Sequence, residues 1–159
     1  RVGNSQADER RGLRMKDITF RQIPWGSDEY KQELELRQRV LRKPLGLNLY
    51  DEDLDAEQKE YHLCALKEGK VVGIILLNPT TPEAFQMRQV AVDESLQGTG
   101  IGRQLVAFSE GVAREKGAKR IFLHARISAQ PFYEKTGYHA VGEEYINLGI
   151  PHIEMEKDL

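Results

Sequence analysis

Apolar positions along this chain follow two periods, one of about two residues and one of about 3.6. Asp17 to Ile23 alternates as a half-buried strand does, and Pro24 and Gly26 end it. Ser27 then caps a helix whose first turn carries Asp28 and Glu29, where the helix dipole favours acids. Tyr30, Leu34 and Leu41 share one face of that helix, and Arg37 falls on it too. That arginine is expected to snorkel past the core edge, the alternative being that it points into a site. Pro44 and Gly46 break the helix. Tyr61 to Lys67 and Val71 to Leu77 read as strands joined by Glu68, Gly69 and Lys70 in a hairpin turn. Asn78 to Pro82 turns the chain again, and Ala84 to Val92 is a third strand of the same sheet. Gly100 to Lys116 places Leu105, Phe108 and Val112 at helical spacing, with Gly117 at the end. Lys119 to Ala125 is β-rich, Ala129 to Thr136 is a short helix closed by Gly137, and strands from Tyr138 to Leu148 and from His152 to Lys157 meet around Gly149. The order β, α, β, β, β, α, β, α, β, β predicts a mixed sheet flanked by helices, of the α/β (α+β) class.

Composition narrows the partners. Apolar residues make up 40% of the chain, enough to bury a core and to exclude global disorder. Residues 1–14 are an exception: Arg1, Arg10, Arg11 and Arg14 stand among Gly3, Asn4, Ser5 and Gln6 with almost nothing to bury. They read as a disordered tail or an added extension, with Met15 as a natural start and 15–159 as one domain. A net charge of −2 argues against nucleic acid as the main partner. No apolar run reaches the roughly 18 residues of a membrane helix, so no membrane is expected either. The single cysteine, Cys64, cannot form an intrachain disulfide, and its apolar surroundings predict a buried small hydrophobe in a reducing, cytoplasmic compartment. Asp51, Glu52, Asp53, Asp55 and Glu57 predict a solvated acidic loop; the functional alternative is that they attract a cationic amine.

One segment carries recognisable chemistry. Gln97-Gly98-Thr99-Gly100-Ile101-Gly102 follows a strand and opens a helix. Glycines let backbone approach a ligand closely, and a helix N-terminus offers unpaired N–H groups to an anion, so the segment suits a pyrophosphate. A Walker loop would need a lysine that is absent, and the third glycine of a Rossmann fingerprint would fall at Arg103. With Val90-Ala91-Val92 before it and an amphipathic helix after it, the segment resembles motif A of the GNAT superfamily of N-acyltransferases. Ala129-Gln130-Pro131-Phe132-Tyr133-Glu134-Lys135-Thr136-Gly137-Tyr138 resembles that family's second signature, and Gly149-Ile150-Pro151-His152 is similar to the ending of a small bacterial branch.

The resemblance spans about residues 17–157. It implies a mixed, mostly antiparallel central sheet and an enzyme that moves an acetyl group from acetyl-CoA to a primary amine by direct attack. It implies that Val90, Ala91 and Val92 flank the pantetheine arm, that backbone amides of Gln97, Gly98, Thr99, Gly100, Ile101 and Gly102 hold the pyrophosphate, and that Ala129 and Phe132 border the thiol. Tyr133 occupies the family's acid position; its alternative is a packed aromatic. A catalytically silent coenzyme A-binding or regulatory module is the alternative function. The strand Ala84-Phe85-Gln86-Met87-Arg88-Gln89 supports that alternative, because it lacks the carboxylate many relatives carry there. By period two, Gln86 and Arg88 are expected to share a face with Val90. His124 is a candidate general base and His62 a second one, each against a structural alternative; His139 and His152 are weaker. No spacing of His, Cys and acids suggests a metal. The acceptor is a small-molecule or protein amine, and the final strand edge would suit a homodimer.

Overall fold

The computed structural model describes residues 17–159, so the expectations for residues 1–14 and Met15 lie outside the described residues. The strands are β1 (Ile18–Ile23), β2 (Tyr61–Lys67), β3 (Lys70–Asn78), β4 (Ala84–Val92), β5 (Arg120–Arg126), β6 (His139–Asn147) and β7 (Ile150–Asp158). The α-helices are α1 (Asp28–Arg37), α2 (Ile101–Glu115) and α3 (Gln130–Lys135). One sheet runs in the order β1-β2-β3-β4-β5-β7-β6. Every neighbouring pair is antiparallel except β4 with β5, which gives the expected mixed, mostly antiparallel sheet. Among the described residues no helix is long and apolar enough to cross a membrane.

The sheet has two cores, one on each face. Leu63, Ile75, Leu77, Phe85, Met87, Ile121 and Leu123 face α2 and α3 together with Leu105 and Val106. Ile23, Cys64, Ile74, Leu76 and Ala91 face α1 and pack with Leu34, Leu36 and Leu49. Burying each such side chain stabilises by about 1.5–3 kcal/mol, so β3, buried along Val71–Leu77, anchors both layers. Gly73 lets α2 approach: a Cβ there would sit 3.1 Å from Leu105 Cδ2 and 3.3 Å from Ala65 Cβ. The hairpin between β2 and β3 turns on two residues, Glu68 (φ 51°) and Gly69 (φ 79°), the paired left-handed conformation that matches strand twist.

Three expectations need correction. The first helix ends as an α-helix at Arg37; the chain then widens into a π-turn at Gln38–Arg42 and tightens into a 3₁₀ turn at Lys43–Leu45. Pro44 has no N–H to give and crowds the carbonyl one turn back, so regular α-turns cannot continue to it. Arg37 does not snorkel: it is fully buried, with its guanidinium donating to Glu57 Oε1 (2.9 Å), Glu57 Oε2 (2.6 Å) and Glu33 Oε2 (2.7 Å). The acidic stretch is therefore not wholly solvated. Asp51, Glu52, Asp53 and Asp55 are exposed, but Glu57 folds inward to Arg37.

The third correction concerns β4. Gln89 has φ 55° and the β3–β4 register slips there, so one extra residue bulges out of the strand. Parity flips across it. Val90 and Val92 join Phe85 and Met87 on the α2 face, and Ala91 faces α1. Val90 thus lies on the face opposite Arg88.

Candidate active site

The parallel ladder between β4 and β5 is short. It pairs Ala84 with Arg120, Phe85 with Ile121 and Gln86 with Phe122, and then stops. From there β5 stays paired with β7 and β4 with β3, so the two strands part like a V. The β5-facing backbone edge of Val90–Val92 has no strand partner and can accept an extended chain as an added strand. The bulge at Gln89 sits at the apex of the opening. A non-glycine residue in the left-handed region is strained, and Arg42 Nη2 donates to Gln89 Oε1 at 3.1 Å to hold it. Arg42 is itself clamped by Glu52, at 2.6 and 3.0 Å.

Beyond β4 the chain enters the glycine turn. Gly98 (φ 81°) and Gly100 (φ 92°) are both left-handed, and Gly100 is the N-cap of α2 without a side-chain cap. The first N–H groups of α2 are consequently left to a ligand. A Cβ at Gly98 would meet nothing within 4 Å, so the glycine serves backbone conformation there. Gln97 Nε2 donates to the Val92 carbonyl at 3.2 Å, tying the turn to the strand. A Cβ at Gly102 would lie 3.6 Å from Phe132 Cζ and 3.7 Å from Val92 Cγ2, so β4, α2 and α3 converge at that point. Ala129 and Phe132 are half-buried beside it.

Tyr133, one residue on, is buried at 8% exposure and packs edge-on against Phe132 and Tyr138. Burial pushes its phenol up to about 12. Its hydroxyl has no hydrogen-bond partner among the described residues, unlike that of Tyr138, which donates to Glu110 at 2.9 Å. A phenol held neutral and unpaired can still donate to a developing anion.

On the α1 face of the same opening lies a cleft of about 420 Å³, within the usual range for small ligands. It is lined by Gln86, Met87, Arg88, Gln89, His124, Tyr145, Asn147 and His152. His124 is exposed, with Nδ1 2.7 Å from the Tyr145 hydroxyl. The Tyr145 ring stacks on His152 at 5.7 Å between centroids, and His152 Nδ1 pairs with its own strand's Ile150 carbonyl at 2.7 Å. Burial and the charge of Glu154 push the Tyr145 phenol above its usual value of 10.0, so it stays protonated at neutral pH. Arg88 forms an ion pair with the buried Glu60.

The family described as acetyltransferase (GNAT) domain matches residues 28–159. The chain belongs to that family. It is thus an acetyltransferase with a GNAT fold. A Bacillus subtilis protein named uncharacterized N-acetyltransferase YjcF is 27% identical over 137 residues, which span 86% of this chain and 97% of that one. The crystal structure of an acyl-CoA N-acyltransferase from Pseudomonas aeruginosa superposes with a TM-score of 0.74 at 24% identity, covering 89% of this chain and 98% of the other. A GNAT family acetyltransferase from Elizabethkingia anophelis, solved with acetyl-CoA bound, gives 0.68 at 18% identity, covering 90% and 99%.

In this acetyltransferase the histidines separate. His124 and His152 meet in the cleft, whereas His139 is exposed on β6, 3.5 Å from Glu156. His62 is buried away from the cleft: Nδ1 is 3.0 Å from Glu33 Oε1 and Nε2 is 2.8 Å from the Glu57 carbonyl. Burial opposes its protonation, but the hydrogen bond and charge of Glu33 outweigh it and raise it above its usual 6.5. With both nitrogens engaged, His62 is a structural histidine. Glu33, Glu57 and His62 bring three potential ligand atoms within 4.8 Å of one another. Arg37 bonds both carboxylates and so fills the cation's place there. Sequence reading missed Tyr145 and Arg42, and gave Arg88 a strand face but no role. Each owes its role to a partner more than ten residues away or on another strand, which no local spacing signals.

Proposed function

We infer that this chain transfers the acetyl group of acetyl-CoA to a primary amine by direct attack of the amine on the thioester. The V between β4 and β5, with a left-handed glycine turn at its mouth, carries the reading. Val90, Ala91 and Val92 pair with the pantetheine arm through their free edge. The amides of Gln97 through Gly102 hold the diphosphate, helped by the positive end of α2. Ala129 and Phe132 border the sulfur. A backbone N–H beside the bulge, at Val90 or Ala91, polarises the carbonyl and stabilises the oxyanion.

The amine must be uncharged to attack, although its pKa in water is about 10.4. His124 is the general base: Nδ1 is held by the Tyr145 hydroxyl, Nε2 takes the ammonium proton directly or through water, and the exposed imidazolium releases it to solvent. Tyr133 donates a hydrogen bond to the departing thiolate. Its phenol, at about 12, is a weaker acid than a thiol at about 8.5, so it stabilises the anion more than it protonates it. A buried thiol at Cys64 suits a reducing cytoplasm. The final strand, β7, is paired on both sides and offers no free edge, contrary to the sequence expectation, so a homodimer would form instead on the sheet edge at β6.

Release of free thiol from acetyl-CoA in the presence of a panel of amines tests the reading. Amine-dependent release is expected. Stabilisation by acetyl-CoA with no release for any amine would leave a silent binding module.

A further inference from the structure

The acceptor cleft differs in charge from what the acidic loop suggests. Of the loop's carboxylates, Glu57 is consumed by Arg37 and Glu52 by Arg42. None of Asp51, Glu52, Asp53, Asp55 or Glu57 lines the cleft, and among the described residues no lining residue is acidic. Glu154, which acts on Tyr145 from β7, stands outside the lining. Among the described residues, the one lining side chain with a permanent charge is Arg88.

Arg88 is only half used. Its Nη1 donates to Glu60, whose side chain is 3% exposed, while the Arg88 side chain is 34% exposed. Nε and Nη2 have no partner among the described residues. The buried carboxylate fixes the guanidinium in place and cannot be reached by a substrate. Arg88 lines the cleft with Nε and Nη2 uncommitted, and such an edge of a planar fork matches a carboxylate in two-point contact. Gln86, Gln89 and Asn147 add neutral donors around it. His124 stands across the opening, where the amine proton must leave. A cationic amine with no anionic group would find no carboxylate among the described lining residues and would leave the free edge of Arg88 without a partner.

We propose that the acceptor is an amine that also carries a carboxylate, of the amino-acid class, with that carboxylate held by the free edge of Arg88 and its amine turned toward His124. The proposal rests on the acetyltransferase reading of the same cleft and narrows it to a substrate class, away from polyamines and aminoglycosides. Arg88 is then a specificity residue that touches the substrate.

The test uses matched acceptors: lysine against cadaverine and phenylalanine against phenethylamine, each with its amino-acid amide. Rates are compared per concentration of uncharged amine, which removes the difference in amine basicity. The carboxylated member should have the higher kcat/KM by roughly tenfold or more, the usual worth of a charge-assisted hydrogen bond. Arg88→Gln alone would strand the buried Glu60, so the variant is the pair Arg88→Gln with Glu60→Gln. In it the preference should shrink to within about twofold while turnover of the amides persists. Equal or higher kcat/KM for the decarboxylated amines overturns the proposal and leaves acetyl transfer intact. Calorimetry on the coenzyme A complex separates the two failures. Selective binding of the carboxylated amines without turnover would uphold the substrate class and remove the catalytic reading; binding of neither member would overturn the class.

Discussion

Tyr133, His124 and Arg37 show how one residue type takes a role from its surroundings. The Tyr133 hydroxyl has no partner among the described residues, whereas that of Tyr138, five residues on, is spent on Glu110. Tyr133→Phe should lower kcat by roughly tenfold with little change in acetyl-CoA affinity, since only the developing thiolate loses a partner. Steady-state kinetics beside calorimetry checks this, and an unchanged kcat would remove the role. His124→Asn should lower kcat/KM by roughly 10²-fold, the scale of a positioned base, with acetyl-CoA binding unaltered. Arg37 is a matter of stability. Removing its charge leaves Glu33 and Glu57 facing each other in the core, so Arg37→Met should cost about 3–5 kcal/mol in denaturant unfolding. Adding Glu33→Gln and Glu57→Gln should restore much of that loss, because the penalty lies in the stranded carboxylates.

At the scale of elements, two backbone features make the site: the bulge in β4 and the left-handed entry to α2. The bulge turns Val90 and Val92 toward the helix-covered face, and it leaves Gln86 and Arg88 on the side of the cleft. The entry to α2 is open to a direct test. Gly100→Ala places a Cβ in a left-handed residue at a cost of about 1–2 kcal/mol, and on the surface that would meet the diphosphate. Acetyl-CoA affinity should fall by roughly tenfold or more. Gly117, with φ 93° and nothing within 4 Å of where a Cβ would stand, is the control. Gly117→Ala should lose the same stability and bind acetyl-CoA normally. Equal affinities for the two variants would remove the turn from the cofactor seat.

For the whole molecule, the buried cluster under α1 ties stability to pH. Burial raises Glu57, but the hydrogen bonds and charge of Arg37 prevail and hold it below its usual 4.5. A lowered carboxylate stabilises above 4.5, and that part is lost as pH falls through its folded value. His62 is raised above 6.5, so its part is complete below 6.5 and is lost as pH rises through its folded value. These two groups therefore place their combined maximum between about 4.5 and 6.5. Thermal unfolding across pH should show decline on both sides, and His62→Gln should flatten the alkaline side alone. Ligand linkage acts on the same scale. Acetyl-CoA at about 100 times its Kd should add about 2.7 kcal/mol, read as a rise in Tm of roughly 5–10 °C.

The order of strands and helices, the mixed sheet and the glycine turn that opens α2 were all written in neighbouring residues. Period two, period 3.6, turn glycines and a bare helix N-terminus are local properties, so the chain alone determined them. The tertiary structure decided the rest. An arginine on an apolar helix face can snorkel or be buried, and only Glu57, twenty residues away, drew Arg37 inside. Strict alternation put Val90 with Arg88, and one left-handed residue, Gln89, moved it to the other face. The cleft joins β4, β5, β6 and β7, so its charge and its facing histidines exist only once those strands lie side by side. Periodicity fixes which way a side chain leaves the backbone; what it meets there depends on segments that only folding brings near.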